Sequence, residues 1–329
     1  MKKLLNFSTH PGDPEMFGND WTEAAAFLNQ YRFDGFELYP VGNYPFQTIP
    51  PCLVRGIHLR FFIFLREIWE NNGDELLKIF DNWENVEHSY GGRGADAVIT
   101  TYVKQLDLAQ QLACHYVVFH PVHCLLAHIY DWQFPYSWQD TLTLCSEILN
   151  ESLARSSYTG LLLFENLWWP GSFRLEDIKE YHYLRERVNY KRCGIVLDTG
   201  HLLNSCGGFD NEEDGIDYLL GKVGKWGSLR DEIRTVHLTL SLSGRYIRES
   251  KEKNEHPPAT TSFRQRFSMA RQHVCKIDPH DPFTNTKIGD LFDLINPDNV
   301  VFEFTFNNLG VWCEKIEQQQ KALLDKLWL

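Results

Sequence analysis

The chain has no apolar run long enough to span a bilayer, no paired CxxC motif, no excess of basic charge and no glycine-rich turn after its first apolar segment. Each absence closes off a class of protein. Without about 18 consecutive apolar residues there is no transmembrane helix. The start, Met1-Lys2-Lys3-Leu4-Leu5-Asn6, has lysines but too short an apolar core for a signal peptide, which predicts a cytoplasmic protein. The eight cysteines, at 52, 114, 124, 145, 193, 206, 275 and 313, form no dense framework. Reduced, mostly buried thiols fit that spacing better than a disulfide scaffold or a zinc knuckle. The net charge is −12, from 32 Lys and Arg against 44 Asp and Glu. That disfavours wrapping a nucleic-acid backbone without excluding it, because bound cations reverse the sign of a local site. The missing glycine-rich turn argues against an open doubly wound sheet with a phosphate loop.

What is present is a series of short apolar runs. Leu4–Ser8, Asp34–Tyr39, Val54–Leu59, Tyr116–Pro121, Gly160–Asn166, Gly194–Asp198, Ile233–Leu238 and Asn299–Thr305 each read as a buried strand. Helical spacing follows most of them, at about 96–113, 138–153, 175–188, 214–223 and 312–327, with an earlier helix near Trp21. Eight such units predict a closed (β/α)8 TIM barrel. The 329 residues suit one domain, 1–329, with inserted loops on the C-terminal face.

The polar residues at the strand ends carry the chemistry. Ile195-Val196-Leu197 runs into Asp198-Thr199-Gly200-His201, where a carboxylate and an imidazole can share a cavity as a divalent-metal pair. Asp198 capping a helix is the plainer alternative. His58, His120, Glu165, Asp198, His237 and Glu303 lie at or near six different strand ends. Burying six ionisable groups without a charge partner is costly, and bound cations remove that cost.

Phe33-Asp34-Gly35-Phe36-Glu37-Leu38, Leu163-Phe164-Glu165-Asn166, Leu197-Asp198-Thr199-Gly200-His201, Val236-His237-Leu238 and Phe302-Glu303-Phe304 together resemble the xylose-isomerase-like barrel superfamily of sugar isomerases, sugar epimerases and endonuclease IV. The resemblance covers nearly the whole chain. It implies a metal site of Glu165, Asp198, His237 and Glu303, with Glu165 and Glu303 also moving protons on opposite faces of a substrate carbon. By the same resemblance, His58, His120 and His201 match further ligands of the endonuclease. Asp278-Pro279-His280, followed by Ile288-Gly289, resembles its Asp-x-His pair, although the intervening loop is longer here; a turn made by two prolines is the other reading.

The leading functional expectation is a sugar or sugar-phosphate isomerase or epimerase working through an enediolate, with one Zn, Mn, Mg or Co ion and a small carbohydrate partner. The second is an endonuclease IV-like phosphoesterase with up to three zinc ions, and the third a non-catalytic metal-binding barrel. Glu37, Trp168, Trp169 and Arg245 are candidate substrate contacts, the tryptophans alternatively roofing the pocket. The stretch from Gly244 to His273 carries seven Lys and Arg (245, 248, 251, 253, 264, 266 and 271) among Glu249, Glu252 and Glu255. It reads as a solvated loop, or as one that overhangs the face and holds a phosphate. The loop 41–46 does not resemble the DNA-inserting loop of the endonuclease, and homo-oligomerisation is left open.

Overall fold

The computed structural model describes residues 1–253 and 261–327; Glu255 of the basic stretch lies outside them. Eight parallel strands close on themselves in sequence order: β1 (Lys2–Ser8), β2 (Gly35–Tyr39), β3 (Val54–His58), β4 (Tyr116–Phe119), β5 (Leu161–Glu165), β6 (Cys193–Asp198), β7 (Ile233–Leu238) and β8 (Asn299–Phe302). The last strand pairs with the first from Lys2 opposite Asn299 to Leu5 opposite Phe302. Just beyond that ladder, the Asn6 amide donates to the Phe304 carbonyl at 3.0 Å and accepts from its N–H at 3.1 Å, which extends the seam. The predicted (β/α)8 barrel is the observed fold.

Strand residues alternate between two cores, as the two-residue period of a strand requires. Leu5, Val117, Leu162, Ile195, Val236 and Val300 face outward into the large core shared with the helices. Leu4, Tyr116, Val118, Leu163, Val196 and Val301 form a separate cluster inside the ring. The next inward position after Val118 is His120, after Leu163 Glu165, after Val196 Asp198 and after Val301 Glu303. The barrel is therefore plugged with apolar side chains below, and its following inward layer is ionisable.

Three of the predicted helices are Ala95–Gln111, Trp138–Arg155 and Leu309–Ala322, and they cover the outside of the ring. Between β2 and β3 there are only short 3-10 turns, Phe46–Thr48 and Pro51–Leu53, where Pro45, Pro50 and Pro51 disfavour a continuous helix. The basic stretch after β7 is not a loop. It forms the helices Gly244–Lys253 and Phe263–Ile277, the second opened by a Ser262–Gln265 capping box. Both pack on the short helix Leu126–Asp131 through a third apolar cluster, which includes Ile129, Ile247, Ala270, Ile277, Trp168 and Trp169. Among the described residues no helix is long and apolar enough to cross a membrane.

Gly56 matters because of what fills the ring beside it. A Cβ there would collide with the Tyr116 ring, whose hydroxyl donates to Glu37 at 2.6 Å. Gly56→Ala is expected to lower unfolding stability by about 1–3 kcal/mol through overpacking, read from the midpoint of urea denaturation. An unchanged midpoint would show that the Tyr116 ring moves aside at little cost.

Candidate metal centre

The inward layer gathers nine side chains into three groups whose candidate ligand atoms lie within 4.8 Å of one another: His58, His120 and Glu165; Glu165, Asp198, His237 and Glu303; and His201, Asp278 and His280. Glu165 belongs to two of them. Its Oε1 lies 3.1 Å from His120 Nε2 and 3.3 Å from His201 Nδ1, and its Oε2 lies 3.3 Å from His237 Nδ1 and 3.5 Å from His58 Nε2. The third group is linked through Asp278, whose Oδ2 is 3.1 Å from His201 Nε2 and 2.6 Å from His280 Nε2.

Local structure sets each donor. Asp198 sits at the N-cap of the helix Thr199–Ser205, and its Oδ1 accepts from the His201 N–H at 2.6 Å. Its Oδ2 is buried with no hydrogen-bond partner, so the same carboxylate is both cap and candidate ligand. Asn166 braces it from β5, donating to the Asp198 carbonyl at 3.0 Å and accepting from its N–H at 2.8 Å. His237 Nε2 lies 3.0 Å from Glu37, which directs the other ring nitrogen, Nδ1, at Glu303, Glu165 and Asp198. His201 Nδ1 lies 2.8 Å from the Asn166 carbonyl, and His58 Nδ1 lies 3.2 Å from that of Leu59. In these two rings Nε2 is left to face the carboxylates. Fixing one imidazole nitrogen with a hydrogen bond to set the other as a ligand is the usual support of a metal-binding histidine.

The donor set fits divalent cations on a further observation. Glu165 Oε2, Asp198 Oδ2, Glu303 Oε2 and His237 Nδ1 are buried, yet none makes a hydrogen bond. His237 Nδ1 and Glu303 Oε2 are 2.7 Å apart without hydrogen-bond geometry. Four converging orphan atoms would be expensive in a closed polar network, and a cation among them would satisfy all four.

Residues 89–252 match the family described as Xylose isomerase-like TIM barrel. Solved structures of similar fold include endonuclease IV from Thermus thermophilus, 16% identical, with a TM-score of 0.55 over 99% of this chain and 100% of that one. Another is a D-tagatose 3-epimerase-like protein, 13% identical, with a TM-score of 0.52 over 98% and 97%. With these structures the chain shares the fold of a (β/α)8 TIM barrel. No curated protein matches the sequence.

The charges of this barrel's inward layer are strongly perturbed. Burial pushes Glu165 up, but His120 and His237 outweigh it and hold the carboxyl well below the ordinary range. Glu303 is held at about 2, where His237 and His280 overcome its burial. Asp198 is pushed up to about 7 by burial, reinforced by Glu165, Glu303 and Asp278 against the pull of His201. Burial lowers His120, whereas Asp278 raises His280 to about 9 against its burial.

All nine ligand candidates come together, but two of the four substrate candidates do not sit as expected. Arg245 is exposed on the outer helix Gly244–Lys253 and is absent from the lining of the cavity; Arg271 takes that position instead. Glu37 does line the cavity, but its carboxylate is occupied by Tyr116 and His237, so it orients a candidate ligand. Trp168 and Trp169 are 2% exposed and belong to the apolar cluster beneath the inserted helices, with Trp168 also 4.9 Å from the His201 ring. Reading the sequence missed Asn166, Tyr116 and Ser241 (donating to Asp278 at 2.6 Å) as parts of the site, and named Arg271 only within the basic stretch that could hold a phosphate. Tyr116 and Ser241 carry no motif, and Asn166, which ends the Leu163–Asn166 motif, acts only through hydrogen bonds to Asp198 and His201.

Loading this centre should release protons. At pH 7 the metal-free chain carries a proton on His280, raised to about 9, and Asp198, raised to about 7, is partly protonated. Ligands bind as bases, so cations displace those protons and affinity rises with pH up to about 9. Zinc titrations in buffers of different ionisation enthalpy are expected to show at least one proton released per chain at pH 7. Heats independent of the buffer would contradict it.

Proposed function

We propose that the chain is a metal-dependent phosphoester hydrolase whose centre takes three divalent cations. The observation that carries this reading is Glu165, one carboxylate shared between His58 with His120 and the Asp198, His237, Glu303 group. An isomerase or epimerase needs only that last group, and it needs both glutamates free to exchange a proton with carbon. Here both Glu165 oxygens face imidazoles at 3.1 to 3.5 Å, and five further ligand-type residues lie outside the quartet. A single ion would leave those five without a role.

His58, His120 and Glu165 would hold one cation; Glu165, Asp198, His237 and Glu303 a second; His201, Asp278 and His280 a third. Bound divalent cations supply Lewis-acid stabilisation of charge on phosphoryl and leaving oxygens. The protein residues do the rest. Phe61, Trp168 and Trp169 wall one side of a cavity of about 440 Å³ above the buried ligand candidates, where charge interactions act more strongly than in open water. Glu37 and Asn166 keep His237, Asp198 and His201 from rotating as charge builds on the substrate. In the net reaction water adds to phosphorus, the bond from phosphorus to the organic oxygen breaks, and a proton ends on the departing alcohol.

Zinc-loaded protein is expected to hydrolyse bis(p-nitrophenyl) phosphate and to lose that activity on chelation. Glu165→Gln is expected to cost roughly 10³-fold or more in kcat, the several kcal/mol assigned to metal assistance. Epimerisation of a ketose by protein holding one ion per chain, with no phosphoester cleavage, would overturn the reading in favour of proton transfer.

A further inference from the structure

From the structure we infer that Arg271 holds the anionic group of a small organic phosphoester whose apolar part lies along the groove between Phe61 and Phe267. The inference rests on the phosphoester reading above and names its substrate class. Arg271 projects from the inserted helix Phe263–Ile277 and, among the described residues, is the one lysine or arginine lining the candidate metal cavity. It makes no ion pair among the described residues, unlike Arg248 with Asp210 and Arg266 with Asp81 on the same insertion. An unpaired guanidinium beside a cluster built to hold cations has one useful role, to meet an anion that arrives with the substrate.

The helix is fixed where it stands. Ala270 and Ile277 are buried in the cluster that includes Ile129, Trp168 and Trp169, and His273 stacks on Tyr130 at 4.6 Å. At its N-terminus Arg266 donates to the Ile79 carbonyl at 2.8 Å and to Asp81 at 2.9 Å. The helix therefore stands as a wall at the mouth of the barrel, with Arg271 and Val274 on the metal side. The same two residues, with Phe61, Ile63, Trp169 and Phe267, line a second cavity of about 680 Å³ that continues outward from the first. Phe267 is 41% exposed at its edge.

This arrangement suits one anionic group with an apolar substituent and does not suit a duplex. A duplex needs rows of cations along an open face, and its affinity grows with each phosphate neutralised. Here a single unpaired cation meets an aromatic trough inside a chain of net charge −12. Aromatic side chains at that trough can stack on an aryl ester group.

The test uses zinc-loaded full-length protein. Arg271→Ala is expected to raise KM for bis(p-nitrophenyl) phosphate roughly 10- to 100-fold with kcat changed far less, the size of one charged hydrogen bond, and Arg271→Lys is expected to recover part of it. Affinity for inorganic phosphate, followed by tryptophan fluorescence, should fall by a similar factor at unchanged zinc content. The wild type should prefer bis(p-nitrophenyl) phosphate to methyl p-nitrophenyl phosphate, and Phe267→Ala should reduce that preference. Unchanged phosphate affinity and KM in Arg271→Ala, or cleavage of an abasic DNA duplex as efficient as that of the aryl diester, would overturn the inference and leave the hydrolase reading standing. A wild type that cleaves no phosphoester overturns both.

Discussion

A single carboxylate at the centre of the ring governs the rest of the architecture. Glu165 is 1% exposed, with the imidazoles of His58, His120, His201 and His237 all within 3.5 Å of its oxygens. A carboxylate removed from water this completely must be compensated by positive charge. Among these imidazoles His58, His201 and His237 are all raised against the effect of burial by the surrounding carboxylates, which favours positive charge on them in the metal-free chain. Divalent cations are the stronger solution, because they also satisfy the orphaned atoms of Asp198, Glu303 and His237. The acid cluster and the basic cluster are thus one cluster.

Its precision comes from the barrel. Inward positions recur every second residue, so an apolar plug of Val118, Leu163, Val196 and Val301 places the following inward residues at one level. Tyr116 and Glu37 fill the remaining interior and aim His237, and Gly56 leaves room for the tyrosine ring. Above this level the barrel's own loops give way to the inserted helices, which have a separate apolar core with Trp168 and Trp169. Six of the nine candidate ligands stand at strand ends, while His201 sits on the helix Thr199–Ser205 and Asp278 with His280 follow the inserted helix Phe263–Ile277.

Much of this could be read from the sequence, and the physical reasons are specific. Parallel strands buried on both faces read as continuous apolar runs, so all eight were visible. Ligands at strand ends stand out because Glu, Asp and His follow those runs directly, and Asp278 with His280 was recognisable as a spaced pair. The inserted helices were hidden because Gly244–Lys253 is rich in charge and shows the outline of a solvated loop; its burial depends on Ile247 meeting distant partners such as Ile129. For the same reason Arg245 and Arg271 could not be told apart, since only the packed helix decides which one faces the cavity. Glu37 lies one inward layer deep, so its partner is the candidate ligand His237. That depth is a property of the closed ring.

Anomalous scattering from crystals of the zinc-loaded protein at the zinc edge tests the central claim most directly. The account predicts three peaks in the barrel mouth, two of them sharing Glu165. One peak among Glu165, Asp198, His237 and Glu303, with His58, His120, His201 and His280 free of metal at saturating zinc, would contradict it.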